Sequence, residues 1–172
     1  MPMPSLPSLA ATLLITATLL AGSATAQEHV PLAGCDCPTV RLDDAYCAAS
    51  LVFEGVPLTT DTVMAAESGP RYPKNPIAHV AVRFAVERTL KGTAFEHAVI
   101  LTPDGSNDCM FRFIPGTRYL VFARTDGQQL VTDRCTPTRA MDTVGQTFLD
   151  SLEFVRAGNR WEAGEVVEVP CE

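Results

Sequence analysis

The cysteines constrain this chain more than any other residue type. Three of the six fall close together, in Gly34-Cys35-Asp36-Cys37-Pro38 and at Cys47, while Cys109, Cys135 and Cys171 are spread out to the penultimate position. If each early cysteine pairs with a late one, the first segment of the domain is stapled to three separate parts of the fold. Six cysteines fit three disulfides, and the residues alone leave many pairings open. A zinc site is disfavoured, because no CxxC pair occurs and His29, His79 and His97 stand far apart.

The apolar run Leu9 to Ala21, followed by Gly22-Ser23-Ala24-Thr25-Ala26, reads as a secretory signal peptide over residues 1–26 with cleavage before Gln27. The run falls short of the roughly 20 apolar residues of a membrane-spanning helix and is interrupted by threonines. Residues 27–34 then read as a flexible leader, and residues 35–172 as one domain. A secreted or periplasmic location is expected. An alternative rests on Leu32-Ala33-Gly34-Cys35, which has the local look of a bacterial lipobox with Cys35 as the acylated anchor. Polar Gln27, Glu28 and His29 separate this tetrad from the apolar run, and acylation would leave an odd number of cysteines.

A formal charge of −7 and a pI near 4.9 lack the basic footprint that a nucleic-acid partner demands. No nucleophile elbow, HExxH or paired-carboxylate pattern appears, so no catalytic residues and no cofactor are expected.

Along the chain, Leu42 to Ala48 suits a short helix with Asp43 and Asp44 at its start. Ser50 to Val56 reads as a strand closed by Pro57, and Thr59 to Pro76 as a long irregular connection. Ala78, Val80, Val82, Phe84 and Val86 alternate with more polar positions, which predicts a half-buried strand ending at Lys91-Gly92, with His79 as a solvated strand histidine. His97 to Thr102 and Cys109 to Phe113 read as strands. Arg118 to Arg124 is apolar enough for a strand buried on both sides. Asp126-Gly127 then turns the chain into Gln129 to Asp133. Thr143 and Gln146 have capping-box spacing, and Phe148, Leu149, Leu152 and Val155 fall at helical intervals, with Gly158 as a stop. Trp161 to Glu172 reads as an acidic, extended tail. Phe53, Phe84, Phe111, Phe113, Tyr119 and Phe122 are expected to be core rather than a ligand-stacking face.

The order of these pieces resembles the netrin-like domain, in particular that of the tissue inhibitors of metalloproteinases and their single-domain bacterial relatives. The matching segments are Cys35-Asp36-Cys37, Ala45-Tyr46-Cys47, Leu51-Val52-Phe53-Glu54-Gly55, Leu90-Lys91-Gly92, Gly116 to Ala123 and Thr132-Asp133-Arg134-Cys135. The resemblance implies a mostly β, five-stranded OB-fold barrel with one or two packed helices and three disulfides. It also implies the pairing Cys35 with Cys109, Cys37 with Cys135 and Cys47 with Cys171. In the animal inhibitors the first cysteine is the mature N-terminus, whose amine and carbonyl chelate the protease zinc; Cys35 holds that position here. Cleavage before Gln27 would leave the Cys35 nitrogen as an amide, and Asp36 suits an apolar specificity pocket poorly.

The expected function is therefore an exported, non-catalytic protein-binding module, monomeric, with a protein partner such as an extracellular metalloprotease, no transmembrane segment and no nucleic acid. The alternative is a metalloprotease inhibitor with Cys35, Asp36, Cys37 and Pro38 as its contact ridge and the Cys35 backbone as zinc chelator, perfected only if processing exposes Cys35. A lipoprotein anchored through Cys35 is the second alternative.

Overall fold

Apolar residues on consecutive positions, rather than alternate ones, mark where this fold is thickest. In the computed structural model, which describes residues 35–66, 76–93, 95–105, 109–162, 165–168 and 171, α1 spans Leu42–Ala48 and is followed by β1, Leu51–Ala66. Next come β2 (Pro76–Lys91), β3 (His97–Pro103), β4 (Tyr119–Asp126), β5 (Gln129–Val131) and β6 (Arg139–Ala140). A short 3-10 turn, Met141–Thr143, leads to α2 (Gln146–Arg156) and a terminal hairpin of β7 (Asn159–Glu162) and β8 (Glu165–Glu168). The expected signal peptide and leader lie outside the described residues. No helix among the described residues is long and apolar enough to cross a membrane.

Five strands form a ring in the order β1-β2-β3-β5-β4, closed by antiparallel pairing of β1 with β4 from Leu51↔Ala123 to Gly55↔Tyr119. All neighbours are antiparallel except β3 and β5, whose parallel pairing covers Ile100↔Leu130 and Leu101↔Val131. This is the mostly β, five-stranded arrangement expected, with two helices and three disulfides.

Strand alternation divides the core in two. Leu51, Phe53, Tyr119, Val121 and Ala123 point inward with Val82, Phe84, Ala98 and Ile100. Val52, Leu120 and Phe122 point outward, where Tyr46, Ala49, Leu152 and Val155 of the helical layer cover them. That is why Tyr119 to Ala123 is apolar throughout and fully buried. The aromatic residues do pack as core: Phe53 meets Phe84 edge to face at 5.4 Å, Phe84 meets Phe113 at 4.9 Å, and Phe113 meets Tyr119 at 4.9 Å.

Several boundaries differ from expectation. β1 runs through Pro57 to Ala66 instead of stopping, and β2 begins at Pro76, so Thr59 to Ala66 of the expected connection is strand paired with β2, while residues 67–75 lie outside the described residues. Proline is tolerated there because β4 pairs with β1 only as far as Gly55, leaving the following residues on an edge. Thr59, Thr60, Thr62 and Val63 then supply strand propensity. Cys109 to Phe113 is not a strand. Side chains take the place of a ladder, with Phe111 N–H donating to Thr102 Oγ1 at 2.9 Å and Ile114 N–H to the Tyr119 hydroxyl at 2.9 Å. The capping box is not made either: Thr143 donates to the Ala140 carbonyl within the 3-10 turn, and Gly145 is the N-cap of α2. Of the acidic tail, Trp161, Glu162 and Glu165 to Glu168 are paired strand in the β7–β8 hairpin, which Arg160 ties to Asp43 and Asp44 of α1.

Candidate functional site

Cys35 to Arg41 has no regular structure, and residues 36–41 are all exposed. An extended, exposed stretch would ordinarily sample many conformations. Here Cys35 is bonded to Cys109 with a Cα separation of 4.8 Å, and Cys37 to Cys135 with one of 5.0 Å. Cys47 at the end of α1 is bonded to Cys171, again at 5.0 Å. These are the pairs that the family resemblance implies. They span sequence separations of 74, 98 and 124 residues. In the chain-entropy account, loops this long are each worth roughly 4 to 5 kcal/mol.

The two loops that hold the ridge also hold each other. Arg134 N–H donates to the Cys109 carbonyl at 3.0 Å. Cys135 N–H donates to Asp133 Oδ1 at 2.9 Å, while Asp133 Oδ2 accepts from Arg124 Nη1 on β4 at 3.0 Å. Behind them, Thr132 and Thr138 are buried and their hydroxyls converge on the Phe122 carbonyl, with Thr136 joining the network. The ridge is thus bolted to β4 through a chain of satisfied polar groups.

Four sulfur atoms meet beneath the ridge. Cys35 Sγ lies 3.4 Å from Cys135 Sγ and 3.7 Å from Cys37 Sγ, in addition to its own bond to Cys109. Cys35, Cys37 and Cys135 are close enough to share a metal as thiolates, but every one is engaged in a bridge, and no cysteine is free.

Beyond Pro38, Val40 is 46% exposed and stands between two clefts. One, of about 200 Å³, is walled by Ala45, Ala48, Ala49, Phe122 and the Arg124–Asp133 pair; the other, of about 210 Å³, by Leu42, Arg139 and Phe148. Both share Val40, Cys135, Thr136 and Pro137. Nothing local in the sequence announces these clefts, because their walls come from α1, β4, β6, α2 and the Cys135 loop.

Behind α1, Asp43 is buried and accepts from Arg41 Nε and Nη2, each at 3.0 Å, with Arg160 as a second cation. Burial alone would raise its carboxyl, but the Arg41 bonds, the Asp44 backbone N–H and the two guanidinium charges hold it below the usual value. The loop Asp104 to Asp108 offers itself by composition as a second contact region beside the ridge, and its residues 106–108 lie outside the described residues. His79 differs from expectation: its Nδ1 is buried without a hydrogen-bond partner among the described residues, beside a small cavity of about 80 Å³ lined by Arg124, Asp126 and Asp133.

Neither the protein-family models nor the curated proteins include a match to this chain.

Proposed function

We propose that this chain is an exported, non-catalytic protein-binding module of netrin-like type, and that it meets its partner through the ridge Cys35-Asp36-Cys37-Pro38. The observation that carries this reading is the ridge itself, an exposed extended segment fixed at two adjacent bridges to loops that are bonded to each other. A binding segment ordered in advance loses little conformational entropy on association. The cleft walled by Ala45, Ala48, Ala49 and Phe122 beside Val40 offers a place for an apolar side chain of a partner, and the acidic net charge of −7 favours a partner surface with basic groups. The three bridges and the absence of a membrane-crossing helix among the described residues are compatible with an extracellular or periplasmic location. Engagement of the Cys35 sulfur with Cys109 speaks against a thioether lipid anchor at that residue.

Photo-crosslinking tests the reading. A photoreactive residue placed at Asp36 or Val40 is expected to capture a protein from the exported fraction of the host, and one at Asp150 on α2 is not. Equal capture from both faces, or capture only from Asp150, would sink it.

The second reading, metalloprotease inhibition, is favoured by the exposure of Asp36, Cys37 and Pro38 beside a half-buried Cys35, and requires a free amine at Cys35. Protein trimmed to begin at Cys35 is expected to inhibit a zinc protease while protein beginning at Gln27 does not. Inhibition by neither removes this reading and leaves the first untouched.

A further inference from the structure

The two bridges of the ridge touch, and this gives them a chemistry that separate disulfides lack. A thiolate attacks a disulfide sulfur and expels the other sulfur as a new thiolate, so the outcome depends on which sulfurs are within reach. Cys135 Sγ and Cys35 Sγ belong to different bridges yet are 3.4 Å apart, and Cys37 Sγ is 3.7 Å from Cys35 Sγ. Cys37 is exposed, whereas Cys35, Cys109 and Cys135 are half-buried. An external thiol therefore meets Cys37 first.

We propose that an external thiol exchanges these two bridges within the folded domain, converting Cys35–Cys109 and Cys37–Cys135 into Cys35–Cys135 and Cys37–Cys109. The thiolate RS⁻ attacks Cys37 Sγ, the Cys37–Cys135 bond breaks, and Cys135 leaves as a thiolate. That thiolate is in contact with Cys35 Sγ. It attacks there, the Cys35–Cys135 bond forms, and Cys109 is expelled with the electron pair of the Cys35–Cys109 bond. The Cys109 thiolate then attacks Cys37 of the mixed disulfide Cys37–SR, forming Cys37–Cys109 and returning RS⁻. Two bridges enter and two leave, with no net oxidation or reduction, so the thiol is a catalyst.

The exchange changes which loop holds which end of the ridge. Asp36, between the two cysteines, is then presented from a crossed pair of anchors. Cys47–Cys171 has no third sulfur in contact among the described residues and serves as the internal control. The proposal does not depend on what the ridge binds.

The test uses the full chain carrying all three bridges, incubated without denaturant with reduced glutathione at about pH 8, where thiols are partly ionised. Free thiols are then blocked with iodoacetamide and the unreduced protein is cut with Asp-N, whose cleavage before Asp36 parts Cys35 from Cys37. Mass spectrometry is expected to find peptides joined as Cys35–Cys135 and as Cys37–Cys109, with Cys47–Cys171 intact. Persistence of the starting bridges up to complete reduction overturns the proposal. Scrambling of Cys47–Cys171 at the same rate also overturns it, because exchange would then pass through unfolding. A Cys109→Ser variant needs no added thiol: its free thiol is expected to divide between Cys35 and Cys37, and a thiol confined to Cys35 in the folded variant counts against the exchange. The wild-type mapping decides the matter where that variant does not fold.

Discussion

The Lys91 ammonium reaches from the end of β2 to the Cys47 carbonyl, 2.8 Å away, and to the Tyr46 carbonyl at 2.7 Å. It closes the C-terminal end of α1, lies 5.2 Å above the Tyr46 ring, and is drawn below its ordinary pKa by burial. Lys91→Met keeps the stem and removes the donors. The expected loss is about 1.5 to 3 kcal/mol, in the range for hydrogen bonds to charged groups. Urea unfolding of the two proteins measures it, and a difference below about 0.5 kcal/mol would show that water replaces the ammonium at no cost.

Asp43 gives the domain an acid-sensitive joint between α1 and the β7–β8 hairpin. Its carboxyl is held below the ordinary value in the folded protein, so its contribution is complete above the unfolded-state pKa and is lost as pH falls through the depressed folded value. Asp43→Asn is expected to be less stable than wild type at neutral pH and to converge with it at strongly acidic pH. Urea midpoints taken across that range check this; a constant gap at all pH values would mean that Asp43 acts through packing alone.

Gly55 sits where β1 leaves its pairing with β4, and a Cβ built there would lie 2.5 Å from the Ala85 carbonyl oxygen and 3.0 Å from the Phe53 ring. The obstacle on one side is backbone of the paired strand, which cannot swing away as a side chain would. Gly55→Ala is expected to cost about 1 to 3 kcal/mol, as overpacking does. Thermal unfolding reads the change, and an unchanged midpoint would mean that β1 and β2 separate freely at the register shift between Glu54 and Gly55.

The bridge from Cys47 to Cys171 ties α1 to the end of the described chain, and Cys171 packs on the outer cluster with Phe148 and Phe154. Replacing both cysteines by serine is expected to lower stability by about 2 to 5 kcal/mol. Limited proteolysis should then cut first beyond Arg156, in the β7–β8 hairpin. First cleavage inside the ring would show instead that this bridge supports the strands.

How far the sequence could be read depended on whether a feature was local. The alternation from Ala78 to Val86 needs only neighbouring residues, and it marks β2 correctly. The Asp126-Gly127 turn, with Gly127 at φ 60°, and the helical spacing of Phe148, Leu152 and Val155 are local in the same way. Pro57 misled because its effect depends on whether a neighbour strand needs its missing N–H, and that neighbour is β4, remote in sequence. Phe111 and Phe113 look like strand residues because they alternate into the core, yet the bonds that hold this stretch run from the Phe111 and Ile114 N–H groups to the Thr102 and Tyr119 hydroxyls. The ridge was legible through its cysteines. The sulfur contact beneath it and the clefts around Val40 were not, since they arise from how separate segments meet.

Each of the three bridges joins an early cysteine to a late one, and the partners follow the same order along the chain, Cys109, then Cys135, then Cys171. For a chain oxidised as it emerges N-terminus first, all three early cysteines arrive before any correct partner exists. Pairing among Cys35, Cys37 and Cys47 is then the first reaction open to them, and each such bond is wrong. For a chain oxidised in that order, maturation is a contest between speed of oxidation and speed of correction, in which a slow oxidant or an isomerase is expected to raise the yield and a fast oxidant to lower it.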